Sequence, residues 1–461
     1  MPKSPKSPSP AKVALVSLGC PKNLVDLQAI GGALRDAGFD VGVPEAEADA
    51  ILVNTCAFIE SARMEAIDAI EEACSHKHDG GRCRAVVVSG CLPERYREKV
   101  FEACPEVDAV LGVDDLEKAP DVLRAVLGGK RGLCQVAPGL SSRVYSSYRP
   151  DFLLTAGPYA YLKIGEGCRH ACAFCAIPGI RGRLRSRPMP ELLDEAKTLL
   201  KRGVKEIVLI AQDTSSYGMD FRDGTTLSSL LRELDRLPGE FRLRILYGHP
   251  AKITDELLET IAASRHVLPY FDVPLQHADP GVLKAMLRMD TVREVPALAG
   301  RIRAKVPGAV LRTTLMVGFP GESAESFKHL LDFVRETRFD HMGAFVYCPE
   351  EGTRGAELPG LPPEKTAVSR RDRLMKAQGE VVAEILDGLV GTECTVLLEQ
   401  PPEASDDGDE RPWVGRSERQ APDDIDGVTF VFGAPAKARV GDFVRCRIVD
   451  HTEYDLIAEA L

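Results

Sequence analysis

Three cysteines in a short glycine-rich stretch, residues 165–188 (GEGCRHACAFCAIPGIRGRLRSRP), carry the strongest chemical signal in the chain. Cys168, Cys172 and Cys175 stand in C-x3-C-x2-C spacing and are followed by Arg181, Arg183, Arg185 and Arg187. A loop this short can wrap three thiolates around one inorganic centre. Thiolates are soft ligands and select iron–sulfur clusters, Zn or Cu(I). A structural Zn site or an all-cysteine cluster takes four protein ligands, and this loop has no nearby fourth cysteine. His170 lies between the first two cysteines and would crowd the same centre. The pattern points to a [4Fe–4S] cluster with one iron left open for a small molecule. A Zn loop, or chance clustering in a chain with 13 cysteines, are the alternatives.

A second set of cysteines is spread along the chain. Cys20, Cys56 and Cys91 each follow directly on a β-like apolar run: VALVSLG, AILVNT and AVVVSG. Between these runs, Leu24, Leu27, Ile30 and Leu34 recur near helical spacing, as do Ile67 and Ile70. Alternating strand and helix patterns predict a parallel α/β sheet, in which ligands sit at the carboxyl ends of the strands. The three cysteines would then converge at one edge as a second three-ligand site; three buried structural thiols are the alternative. Cys74, Cys83, Cys104 and Cys134 follow no such pattern and read as small buried side chains.

The rest of the chain must position these groups. Residues 128–158 are rich in Gly, Ser and Pro and read as a linker or a wrapping segment between domains. From Tyr159 onward six strand candidates appear, over 159–166, 205–213, 242–250, 270–278, 310–321 and 341–349. Amphipathic helices fill the gaps, as over 190–203, which ends in a capping glycine. Six βα units fit an incomplete relative of the (β/α)8 barrel, whose chemistry lies at the C-terminal ends of the strands. The three-cysteine loop follows the first strand and belongs at that face. Gln212 and Asp213, His249, Gln276 and His277, Gly318, Gly321 and Glu322, and Cys348 follow the other strands. From about residue 390, five short β-like runs separated by Gly, Pro and Asp predict a small OB-like barrel.

Composition sets the outer limits. A chain of 461 residues with 44% apolar and 28% charged residues has room for about three ordinary globular domains. No run approaches the roughly 18 apolar residues of a membrane span. The start, MPKSPKSPSPAK, lacks an apolar core and reads as a disordered tail over residues 1–10, not a signal peptide. Thirteen cysteines without a secretory signal argue against a disulfide framework and for the reducing cytoplasm. A net charge of −11 argues against broad nucleic-acid binding. Residues 391–461 hold 16 Asp and Glu against 7 Lys and Arg, a difference of −9. That balance is poor for phosphate and suits a basic protein; a solvated acidic surface is the alternative.

The motifs together resemble a known family. CRHACAFC, placed after the first strand of a partial barrel, resembles the radical S-adenosylmethionine (SAM) signature. SLGCPKNLVD, NTCAFIESA and SGCLPERY resemble the methylthiotransferase N-terminal domain. VGRSERQAPDDIDGVTFV and YDLIAEAL are similar to the TRAM domain that ends those enzymes. The chain is thus identified as a member of the radical SAM methylthiotransferases, over nearly its whole length from about residue 11. SLGCPKN with LVD, NTCAFIESA and LIAQDTSSYG resemble the branch that modifies a ribosomal protein; the tRNA branch typically has a GCQMN-like version. Two departures stand out: CRHACAFCAIP lacks the usual Asn-Arg-type insert, and Cys348 replaces a more usual serine.

The resemblance implies an α/β protein of three domains. These are an N-terminal parallel α/β domain (11–127), a linker (128–153), a partial (β/α)6 radical-SAM barrel (154–388) and a TRAM β-barrel (389–461). It implies two [4Fe–4S] clusters and SAM as cofactors. Cys168, Cys172 and Cys175 would hold the cluster whose open iron binds SAM and yields a 5′-deoxyadenosyl radical. That radical is strong enough to take hydrogen from the β-carbon of an aspartate, chemistry the cofactor supplies and the barrel positions. Cys20, Cys56 and Cys91 would hold the second cluster, which supplies sulfur, and a second SAM gives the methyl group. The two clusters would face each other. Gln212, Gln276, Gly318 and Glu322 fall where SAM should lie, or else structure their loops. The four arginines would pair with the SAM carboxylate or an acidic substrate group, form a solvated face, or pack on the N-terminal domain. Tyr159 and Tyr161 read as barrel core, and His249 and His277 as hydrogen-bonded strand-end residues; no acid–base catalyst is assigned. The implied partners are a basic ribosomal protein of the small-subunit decoding centre, or the ribosome, and an electron donor such as flavodoxin or ferredoxin. Membranes are excluded and direct RNA binding is not expected to dominate. The rivals are a tRNA adenosine methylthiotransferase and a non-catalytic iron–sulfur protein that carries electrons or anchors RNA.

Overall fold

Six parallel strands organise the first part of the chain: β1 (Lys12–Ser17), β2 (Asp40–Val41), β3 (Ala50–Thr55), β4 (Ala85–Gly90), β5 (Ala109–Leu111) and β6 (Leu133–Gln135). They lie in the order β2-β1-β3-β4-β5-β6. The computed structural model describes residues 9–78, 80–137, 150–155, 157–295, 297–403 and 411–461. Most of the expected tail and residues 138–149 of the expected linker lie outside that description. The chain forms two compact units. Unit 1 is Met1–Leu154 with Glu166–Arg169 and Ala176–Arg185; unit 2 is Thr155–Gly165, His170–Cys175 and Ser186–Leu461.

In unit 1 every residue of β3 and β4 is buried, as parallel strands covered on both faces must be. That is why they read as unbroken apolar runs. The covering helices are α1 (Pro21–Asp36), α2 (Glu60–Ser75), α3 (Cys91–Tyr96), α4 (Lys99–Ala103), α5 (Ala119–Leu127) and the single turn α6 (Ile177–Ile180). Ala66, Ile70 and Ala73 of α2 pack with Ile51, Val53, Val86 and Val88 on one side. Leu27, Ile30 and Leu34 of α1 pack with Val13, Leu52 and Val87 on the other. The sequence predicts the three central strands. β2, β5 and β6 have two or three residues each, too few for a periodicity to register. β6 lies inside the stretch expected as linker.

Unit 2 holds the barrel. Its first strand is β7 (Tyr159–Lys163); β8 (Gly165–Glu166) and β9 (Arg185–Ser186), each with one residue in either unit, bracket the cysteine loop in the chain. They are followed by β10 (Glu206–Ile210), β11 (Arg242–Ile245), β12 (Tyr270–Asp272), β13 (Val310–Val317) and β14 (His341–Val346). β7, β10 and β11 form one parallel set and β12, β13 and β14 another. Leu243 N–H donates to His266 O and Leu268 N–H to Leu243 O, both at 2.8 Å, so the chain entering β12 bonds to β11. The result is an open arc of six parallel strands, the expected partial (β/α)6 barrel.

Five strands close a small barrel at the end of unit 2: β15 (Glu393–Gln400), β16 (Trp413–Arg416), β17 (Thr429–Phe432), β18 (Phe443–His451) and β19 (Leu456–Ala460), in the order β15-β16-β17-β19-β18. Polar contacts fix it to the amino ends of the arc. Arg416 is 1% exposed and reaches Glu206 at the start of β10 at 3.0 Å. Glu206 also takes Arg244 of β11 at 2.7 Å. The hydroxyls of Tyr159 and Tyr161 both donate to Asp423, and that of Tyr270 to Asp426. The tyrosines expected as core are therefore part of this junction. The small barrel sits at the end of the arc opposite the one where such folds do chemistry.

Candidate functional site

β1, β3 and β4 are neighbours, and parallel strands lie about 4.8 Å apart, so their carboxyl ends bring Cys20, Cys56 and Cys91 together. Cys20 caps α1, with Pro21 at its first position, and Cys91 opens α3. Two glycines make the close approach possible. Gly19 has φ +88°, and a Cβ there would stand 2.7 Å from Cys56 Cβ. Gly90 has φ +96°, and a Cβ there would stand 2.4 Å from Asn54 Oδ1 and 2.5 Å from the Thr55 carbonyl. A side chain at either position would push the strands apart.

Asn23 ties this edge. Its Nδ2 donates to Leu18 O at 3.2 Å and Thr55 O at 2.9 Å. Its Oδ1 faces the sulfurs of Cys20 at 3.9 Å and Cys91 at 3.8 Å. Arg181 closes the network: Nη2 donates to Asn23 Oδ1 at 2.7 Å and to Cys91 Sγ at 3.2 Å, and Nη1 to Asp26 at 2.6 Å and Glu166 at 3.2 Å. Burial pushes the Cys91 thiol up to about 12 against the opposing pull of Arg181, and burial raises Cys56 as well. Buried thiols of this kind bind a metal by releasing their protons to solvent. Three converging sulfurs beside a guanidinium suit an anionic, thiophilic centre.

The three-cysteine loop is divided, with Cys168 in unit 1 and Cys172 and Cys175 in unit 2. In unit 1, Cys168 N–H donates to Gly182 O at 3.0 Å. In unit 2 the loop is held at the carboxyl end of the arc. Ala173 N–H donates to Met286 O at 2.9 Å, and Gly355 N–H to Ala173 O at 2.7 Å. Arg288 Nη1 stands 3.5 Å from Cys172 Sγ while its Nη2 donates to Pro274 O at 3.0 Å. His170 Nε2 meets Asp213 at 2.7 Å, and Asp213 also accepts from the hydroxyls of Ser215 and Ser216. Burial opposes charge on Asp213, but these three donors hold its carboxyl below the ordinary range. His170 stacks on His249, with centroids 3.9 Å apart and planes 8° from parallel. Burial, reinforced by the charge of Arg288, keeps His249 neutral.

His170, His249 and Asp290 offer ligand atoms within 4.8 Å of one another. Ring-nitrogen lone pairs lie in the ring plane, so stacked imidazoles aim them side by side and not at a common ion. His170, bonded to Asp213 and stacked on His249, is thus a brace of the loop.

The positions expected near SAM separate into two kinds. Gln212 follows β10, half-buried, and Gln276 follows β12 with φ +71°, its N–H bonded to Thr314 O at 2.9 Å. Tyr247, after β11, has φ +63°. Non-glycine residues in the left-handed region cost energy and cluster where a ligand or a turn demands them. Gly318 and Glu322 form one clasp. The Glu322 carboxylate accepts from Gly318 N–H, pairs with Arg370 at 3.0 Å and lies 3.4 Å from His277 Nε2. Its side chain is fully buried, so it shapes the turn from beneath. Two buried polar atoms at this end, Thr214 Oγ1 and His249 Nδ1, lack a partner in the protein. Buried polar atoms are almost always satisfied, so the pair fits a polar small molecule such as SAM.

Of the alternatives for the four arginines, packing on the N-terminal domain describes Arg181 and Arg185, and Arg187 is paired within the barrel. Arg181 is engaged as above, Arg185 reaches Asp114 at 3.3 Å, and Arg187 bonds Glu195 at 2.7 Å and Lys163 O at 2.9 Å. All three are buried; only Arg183 is exposed. Sequence reasoning missed Asn23, Asp26 and Arg288. Asn23 and Asp26 stand three and six residues after Cys20, on the first turns of the helix that Cys20 caps, which is a usable signal. Arg288 has none, because only the tertiary fold brings it to Cys172.

The arc, the cysteine loop at its carboxyl end and the closed terminal barrel define a radical SAM protein. The Radical SAM superfamily description matches residues 162–334, the uncharacterized protein family UPF0004 residues 12–112 and the TRAM domain residues 390–461. Among solved structures, the radical SAM methyltransferase TsrM from Kitasatospora setae shares the fold, with a TM-score of 0.51 and 16% identity over 76% of this chain and 77% of that one. The cobalamin-dependent radical enzyme OxsB gives a TM-score of 0.51 at 14% identity, over 80% of this chain and 56% of its own. Among curated proteins, the ribosomal protein uS12 methylthiotransferase RimO of Geotalea uraniireducens (strain Rf4) is 44% identical over 97% of this chain and 98% of its own length. That of Syntrophus aciditrophicus (strain SB) is also 44% identical, over the same shares. The chain belongs to the RimO family of ribosomal protein uS12 methylthiotransferases.

Proposed function

We propose that this chain transfers a methylthio group to the β-carbon of an aspartate in ribosomal protein uS12. The observation that carries the reading is the presence of two separate three-cysteine sets, each with a buried arginine donating to one sulfur. Cys168, Cys172 and Cys175 would hold one [4Fe–4S] cluster and Cys20, Cys56 and Cys91 a second. When bound, these clusters and SAM supply radical generation, sulfur and the methyl group, chemistry that side chains alone do not provide.

The chain's own residues orient these groups. Arg288 donates to Cys172 and keeps positive charge at that sulfur, while the His170–Asp213 pair fixes the loop that carries it. Asn23 and Arg181 do the same for the N-terminal set. Gln212 and Gln276 would line the SAM pocket, and the Gly318–Glu322 clasp would shape its floor. The substrate is a basic protein, consistent with the acidic terminal barrel, and the electron donor is a small protein of the flavodoxin or ferredoxin kind. The reaction belongs in the reducing cytoplasm; among the described residues no helix is long and apolar enough to cross a membrane.

Mass spectrometry of uS12 from cells with and without the gene tests the substrate, and the modified aspartate is expected only when the gene is present. Transfer to tRNA but not to uS12 would overturn the reading. Cys168→Ala should abolish SAM cleavage in the purified enzyme. Cys56→Ala should retain cleavage and lose thiolation; loss of both in Cys56→Ala would contradict separate roles for the two sets.

A further inference from the structure

We infer that Arg181 sets the electron affinity of the centre held by Cys20, Cys56 and Cys91, by donating Nη2–H to the Cys91 sulfur. The inference rests on the ligand assignment proposed above. Arg181 is 2% exposed, and its guanidinium is gripped from both sides. Asp26 at 2.6 Å and Glu166 at 3.2 Å take Nη1, which leaves the Nη2 edge directed at Cys91 Sγ, 3.2 Å away, and at Asn23 Oδ1, 2.7 Å away. The planar fork of arginine permits this two-sided fixation, and a lysine ammonium would not reproduce it.

Reduction adds one negative charge to an iron–sulfur centre. A donor N–H and a positive charge at a ligand sulfur therefore favour the reduced form, and hydrogen bonds to sulfur, net charge and burial are the protein's levers on potential. In a buried site the effect is large, because low dielectric leaves charges poorly screened. Asp26 and Glu166 lie on the far side of the guanidinium and temper it. Arg181 stands six residues after Cys175, in the 176–185 segment that folds with unit 1. The peptide that carries one ligand set thus supplies the outer contact of the other. Arg181 is a positioning residue, not a group that touches substrate.

The test uses the full-length chain with Cys168, Cys172 and Cys175 all changed to Ala, reconstituted anaerobically so that one cluster remains. Its iron content is measured, and its midpoint potential is read by EPR during titration with dithionite. Arg181→Gln in this background should make reduction about tenfold less favourable, a downward shift of about 59 mV for one electron. Asp26→Asn should shift the potential upward, and Arg181→Lys should fall between parent and Arg181→Gln. A purely structural arginine would alter melting and iron yield but leave the potential of the loaded protein in place. An unchanged midpoint in Arg181→Gln with its EPR signal intact overturns the inference. Where Arg181→Gln retains no iron, Arg181→Lys and Asp26→Asn decide, and no shift in either overturns it. A parent protein that binds no iron refutes the ligand assignment itself, and the inference falls with it.

Discussion

The side-chain amide of Asn23 works in every direction: two backbone carbonyls, two sulfurs and a guanidinium meet at one residue that is fully buried. Such a site tolerates little movement, and its glycines show why. Gly90 and Gly38 both have positive φ, +96° and +89°, but Gly90 has ψ −149°, a glycine-only conformation, and a Cβ there would strike Asn54 and Thr55 while one at Gly38 meets nothing within 4 Å. Gly38→Ala should therefore cost only the left-handed strain, about 1 kcal/mol. Gly90→Ala adds a steric clash with backbone and should cost roughly 3 kcal/mol or more, with loss of iron from the N-terminal set. Urea midpoints and iron counts of the two variants check this; equal losses would mean that strain alone governs the turn. At this scale the six cysteines were legible because each ends an apolar run or sits in tight spacing. Arg288 was not, because nothing in its neighbourhood of the chain marks it.

Strands and helices decide which charges become buried. Glu206 opens β10 and is fully buried between Arg244 of β11 and Arg416 of β16. Burial alone would raise its carboxyl above the ordinary 4.5, but Arg244 and then Arg416 outweigh it and bring it down to about 2. A carboxyl depressed in the folded state adds stability that is full above its unfolded value and is lost as pH falls toward the folded one. Glu206 should therefore contribute fully above about pH 5 and lose its contribution between about pH 4.5 and 2. Glu206→Gln should cost about 3–5 kcal/mol near neutral pH, because it leaves buried guanidinium charge without its partner. It should also flatten the pH dependence in the acid window. Denaturation midpoints measured from pH 6 down to about 2.5 test the sign; a variant as acid-sensitive as the parent would rule Glu206 out. The sequence made the strand legible here, since an apolar run over 205–213 is plain. It did not make the ion pairs legible, because their partners lie 38 and 210 residues away.

The C-terminal barrel is bound to the amino ends of the arc through buried polar contacts, so it is part of one folding unit with the radical SAM barrel. Stopping the chain at Leu389 would take Asp423 from Tyr159 and Tyr161, Asp426 from Tyr270, and the carbonyls of Thr395, Arg416 and Glu418 from Arg242 and Arg244. Truncation would also bare Val382 and Leu386, which pack with the apolar core of the terminal barrel, and newly exposed apolar surface promotes association. Such a truncation should lose soluble yield and SAM cleavage together, measured by fractionation and by release of 5′-deoxyadenosine. A soluble truncated protein that cleaves SAM normally would show instead that the terminal barrel serves only substrate binding. The acidic charge of this region is readable from composition; its attachment at the end of the arc away from the cysteine loop is not.

Sequence alone determined the three-part architecture and the family, and singled out the six cysteines proposed as ligands, because each is written locally. Apolar runs with fixed periodicity specify strands and helices, and thiolate ligands announce themselves by spacing and by their place after a strand. Tertiary structure alone decided what surrounds the sulfurs. A linear reading left the arginines after the loop open to SAM, substrate, solvent or the N-terminal domain, and folding buries three of them in ion pairs, since a charge taken from water must find a partner. The pairing of Glu322 with Arg370, the brace of His170 on Asp213 and the contact of Arg181 with Cys91 all join residues distant in the chain. Their identity depends on which side chains the packed strands bring within hydrogen-bond reach, and no local pattern encodes that.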